Sequence, residues 1–89
     1  MGRYEMAGAE LAPLAETKPN AEAFFELGIL YATGREVPPD LIAAHKWFNL
    51  AAINGNPEAA YHRQQIATEM SAKEIAEAQR AAREWLRLH

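Results

Sequence analysis

The sequence predicts an all-α chain: an α-α superhelix (solenoid) of two antiparallel helix pairs, with a short N-terminal helix or arm ahead of them. Three observations carry that prediction. Apolar residues recur at helical spacing while alternating β-branched runs are absent. Helix start and stop signals follow one another along the chain. Positions of the first predicted helix return 36 residues later, Ala23 as Ala59, Leu30 as Ile66 and Tyr31 as Ala67, a period proper to helical-hairpin solenoids.

Residues 1–20 place Met6, Leu11 and Leu14 like a short amphipathic helix, but Gly2, Gly8 and Pro13 weaken it. This arm is set apart from a domain over 21–89, whose first unit covers about 21–56 and whose degenerate terminal unit covers about 57–88. Asn20 is a suitable cap for a helix over about 21–33, with Ala23, Leu27, Leu30 and Tyr31 on its buried face and Phe24 beside them. Gly28 in mid-helix costs about 1 kcal/mol against alanine, so close approach of a neighbouring helix is its expected reason. Gly34 ends the helix and the turn tucks Val37 under it. Pro39 and Asp40 then open a second helix, the proline in a first turn that needs no N–H and Asp40 at the positive helix end. Its buried face is Leu41, Ala44, Trp47, Phe48, Ala51 and Ala52, and Asn54-Gly55 closes it. Asn56-Pro57-Glu58 repeats the start signal for a third helix over about 57–70. Ser71 with Glu74 forms a capping box for a fourth helix over about 72–88 that buries Ile75, Ala78, Ala82, Trp85 and Leu86.

A chain of 89 residues and 9.9 kDa supports one domain at most, with a small buried fraction. The 49% hydrophobic share is largely alanine, so Trp47, Trp85, Phe24, Phe48, Leu27, Leu30 and Leu50 have to carry the core. The absence of cysteine excludes disulfides, thiolate zinc sites and thiol catalysis. No signal peptide and no membrane span are expected, and the default location is cytoplasmic. Net charge is −3, with three basic and seven acidic residues in 1–40 against six and five in 41–89. Nucleic acid is therefore not the expected partner. Arg80, Arg83 and Arg87 share a face, but Glu77 and Glu84 interleave with them, which describes a solvated helix surface.

Ala23, Leu27, Gly28, Tyr31, Gly34, Val37, Asp40, Ala44, Trp47, Phe48, Ala51, Ala52, Gly55 and Ala59 resemble, in order and spacing, the pattern of the Sel-one-like repeats (SLR), relatives of the tetratricopeptide repeats. The match is firm over about 21–60 and weak over 61–88, where Arg63 and Gln64 replace the Leu27-Gly28 pair. The resemblance implies a structural repeat motif at those positions and a bacterial type of protein-protein interaction scaffold or adaptor without chemistry of its own. Cysteine-rich members linked to hydrolase activity have no counterpart in a chain without cysteine. Two units are few for independent stability, so the arm or self-association is expected to supply further burial.

In such a stack the first helix of each pair lines the concave face. That implies a partner-binding surface of Glu22, Phe25, Glu26, Ile29 and Thr33, continued by Glu58, Tyr61, His62, Gln65 and Glu69. Phe25 and Ile29 are expected to point away from the hairpin core, giving an apolar patch with a polar rim. The occupant is a protein or peptide partner, the arm through Met6, Leu11 and Leu14, or a second copy in a homodimer. Trp47 and Phe48 read as packing; truncation of Trp47 to alanine is expected to cost roughly 3–5 kcal/mol. No catalytic residue, metal site or cofactor is expected. His45, His62 and His89 lack helical ligand spacing to one another, and Ser71, the lone serine, is a cap. A minor enzyme or metal-dependent protein is the reading from another class; added zinc would then raise the melting temperature.

Overall fold

The computed structural model describes residues 21–89; the expected N-terminal arm, with Met6, Leu11 and Leu14, lies outside them. The described residues form four helices and no strand: α1 Ala21–Thr33, α2 Leu41–Ile53, α3 Pro57–Ala67 and α4 Ala72–Leu88. Local chemistry accounts for each boundary. The N–H of Gly34 donates to the Leu30 carbonyl at 2.9 Å, and its φ of 69° is the left-handed conformation that glycine takes at least cost. Asp40 caps α2, its Oδ1 accepting from the Ala43 N–H at 3.1 Å. It therefore stands just before the first turn, and Pro39 precedes the cap rather than opening the helix as the sequence suggested. Asn56 caps α3 in the same way, through the Ala59 N–H at 3.1 Å, with Pro57 in the first turn. α3 stops at Ala67 rather than near residue 70: the N–H groups of Thr68, Glu69 and Met70 bond three residues back and tighten the chain into a turn. At α4 the Ser71 hydroxyl accepts from the Glu74 N–H at 3.1 Å while the Glu74 carboxylate accepts from the Ser71 N–H at 2.9 Å. The expected capping box is complete.

Helix α2 is the centre of the packing. Its backbone comes close to α1, α3 and α4 in turn, whereas α3 and α4 dock on α2 far more than on each other. α1 and α2 form the tight antiparallel pair. The Asp40 N–H reaches the Tyr31 carbonyl at 3.0 Å near the turn, and Phe24, at the far end of α1, stacks on Trp47 with ring centroids 5.6 Å apart. Between them Gly28 is buried directly under Phe48, where a Cβ would run into the ring carbons. The glycine exists for close approach, as its helix-breaking cost implied. The second pair is not a hairpin of this kind, because α3 has no glycine opposite an aromatic; it carries Arg63 and Gln64 at those positions.

The buried cluster is small: Phe24, Ala44, Phe48, Leu50, Ala51, Ala59 and Ala82, with Trp47, Trp85, Tyr31 and Ile66 packed against it. Among the described residues only Phe48 and Leu50 are large side chains sealed entirely from solvent. Several expectations need correction. Ala23, expected on the buried face of α1, is exposed, and Leu27, Leu30 and Tyr31 are half-buried. Leu86, expected in the core of α4, is 44% exposed, since α4 closes on α2 through the smaller Ala78 and Ala82. His45, read from sequence only as an unsupported metal candidate, is 3% exposed.

Candidate interaction site

Two consecutive aromatic pairs, Phe24-Phe25 on α1 and Trp47-Phe48 on α2, organise both sides of the molecule. Neighbouring residues of a helix point about 100° apart, given 3.6 residues per turn. Each pair therefore sends one ring to each side. Phe24 and Trp47 meet Trp85 of α4, with centroids 5.2 and 5.9 Å away in edge-to-face arrangement, and His89 stacks on Trp85 at 4.2 Å. Phe25 and Phe48 turn instead toward α3. Phe25 lies 5.7 Å from Phe48 and 5.2 Å from His62, and His62 lies 5.4 Å from Phe48.

The imidazole of His62 is fixed in this position. Its Nδ1 lies 2.9 Å from the Glu58 carbonyl oxygen one turn back. A carbonyl only accepts, so Nδ1 is the donor of this bond. Tyr61 packs edge-on against His62 at 5.8 Å and is 60% exposed. The surface thus runs from α1 through the Phe25–His62 contact to Tyr61 on α3, and three predicted site residues from two helices form one contiguous patch.

Phe25 and Ile29 do not stand clear of the core as the sequence suggested. Both are half-buried and packed against the buried cluster, Phe25 through its ring contact with Phe48. Ile29 also lines a shallow depression with Glu26, Leu30 and Arg35. Of the other predicted site residues, Glu22, Glu26, Glu58, Gln65, Thr33 and Glu69 are all exposed; the Thr33 hydroxyl is turned back onto the Ile29 carbonyl at 2.8 Å.

Sequence reasoning missed the inward turn of His45. Its Nδ1 is buried without a hydrogen-bond partner. Burial, and then the nearby Arg63 guanidinium, push its pKa below the usual 6.5. Arg63 itself donates to Asn49 Oδ1 across the α2–α3 contact. The only signal in the sequence was position: His45 falls one residue after Ala44 and three before Phe48, on the apolar side of α2. Among the described residues no group of three His, Cys, Asp or Glu side chains is placed to hold a metal ion, and no helix is long and apolar enough to cross a membrane. Compared with family models, with curated proteins and with solved structures, the chain matches none.

Proposed function

We propose that this chain is a protein-protein interaction module, an adaptor or scaffold without catalysis of its own, that presents the α1–α3 face to a protein or peptide partner. Its four helices are read as two units of an SLR-like helical stack, the second unit being terminal and atypical. Support for the repeat comes from the work its motif positions do. Gly28 admits Phe48, Ala44 and Ala51 are sealed against neighbours, Asp40 caps a helix, and Gly34 and Gly55 take positive φ. The observation that carries the binding role is the Phe25–His62 ring contact, which joins two helices into one aromatic surface while leaving Tyr61 largely in solvent. An exposed aromatic with a polar tip beside half-buried apolar groups is a suitable anchor for a partner.

The test is affinity capture from lysate of the source cells with wild type beside Tyr61→Ala. Tyr61 is the appropriate probe because its truncation leaves the core intact, whereas charges at Phe25 or Ile29 would disturb packing. Matched circular dichroism and sedimentation come first. The reading expects a protein retained by wild type and lost by the variant at equal size and helicity. Equal retention profiles from the two chains would refute it.

A further inference from the structure

The exposed charged side chains nearest in sequence to Phe25, Tyr61 and His62 are acidic. Glu22 and Glu26 flank Phe25 on α1, Glu58 lies one turn before Tyr61 and His62 on α3, and all three carboxylates are exposed. Among the described residues none of them forms an ion pair, the one salt bridge being Arg87 with Glu84 on α4. The first turns of α1 and α3 favour Glu22 and Glu58 through the helix dipole. Glu26, in mid-helix, has no such role. Of the nearby cations, Arg63 is committed to Asn49, and Arg35 lines one depression with Glu26, Ile29 and Leu30.

Resting on the docking role above, we infer that the occupant of this face is a basic peptide segment with an apolar anchor. Its aliphatic or aromatic side chain sits against Phe25, Tyr61 and His62, and its Lys or Arg side chains sit between Glu22, Glu26 and Glu58. Charge complementarity is the deciding argument. A carboxylate-rimmed apolar patch repels acidic segments and gains from each lysine or arginine brought to its edge.

The inference is tested by fluorescence anisotropy with a labelled dodecapeptide of lysines around two central leucines, and with its counterpart in which glutamate replaces lysine. Each is titrated with wild type, Glu22→Gln/Glu26→Gln/Glu58→Gln and Tyr61→Ala, at about 20 and 500 mM salt. Sedimentation of the unliganded protein at the same concentrations accompanies the series. The expected result is binding of the lysine peptide alone, weakened at least tenfold by the triple variant, by Tyr61→Ala and by high salt. If both peptides bind equally, are lost in Tyr61→Ala and are indifferent to the triple variant, the charge inference falls while the docking role stands. If neither peptide's binding responds to Tyr61→Ala, both fall. If wild type self-associates in low salt and the triple variant does not, the occupant is a second copy and the inference is overturned.

Discussion

Phe48 is the residue on which the interior depends. It is fully buried, is met by Gly28 and Phe25 from α1, and touches His62 of α3. Phe48→Ala is expected to lower stability by about 3–5 kcal/mol, read from the urea midpoint. The half-buried Trp47, also covered by the Lys46 ammonium 4.4 Å from its ring centroid, should cost less when truncated. Gly28→Ala gains about 1 kcal/mol of helix propensity, yet its methyl has no room beside the ring. Overpacking of about 1–3 kcal/mol should outweigh the gain, so a measured stabilisation would contradict the packing described. His45 supplies a pH test. Its folded pKa lies below 6.5, so the unfolded chain takes up the proton first. The contribution of this neutral histidine is complete above about pH 6.5 and declines as pH falls below that. His45→Leu, which replaces an unpartnered buried nitrogen by hydrocarbon, should lose less stability than wild type between pH 7.5 and 5.5 by urea denaturation. An identical decline would remove His45 as the cause.

At the scale of elements, the caps are the most legible part of the chain and the docking of helices the least. Asn56, Ser71 with Glu74, Gly34 and Gly55 each act through groups within four residues, so their sequence neighbours suffice to identify them. Asp40 was legible as a start signal but not as the cap itself, because Pro39 is equally suited to a first turn. Ser71→Ala should destabilise the protein by about 1 kcal/mol, seen as a lower melting temperature. Which face α4 buries depends on what α2 offers across the contact. The seal is made by Ala78 and Ala82, one turn apart, and Leu86, the next apolar group along, stays outside. Replacing Ala82 with Leu should therefore destabilise by about 1–3 kcal/mol despite leucine's good helix propensity. Loss of the Trp85 contacts to Phe24 and Trp47 should show in tryptophan fluorescence.

Over the described residues, the four helices and their approximate spans could be read from periodicity and punctuation. The candidate site was legible in composition but not in depth. Helical spacing placed Phe25 and Ile29 on the first helix and Tyr61 and His62 on the third, yet it could not show that Phe25 turns inward to meet Phe48 and His62. That contact depends on the long-range placement of α3 against α2. The buried His45 escaped notice for the same reason. The result is a core centred on α2, with aromatic rings spread to both sides and one side bordered by the exposed carboxylates of Glu22, Glu26 and Glu58. Amide chemical-shift mapping on isotopically labelled protein, titrated with the lysine–leucine peptide, tests the binding face most directly. The account predicts perturbations concentrated at residues 22–29 and 58–65, with residues 73–87 of α4 unmoved. Perturbations centred on α4, or spread evenly over all four helices, would contradict it.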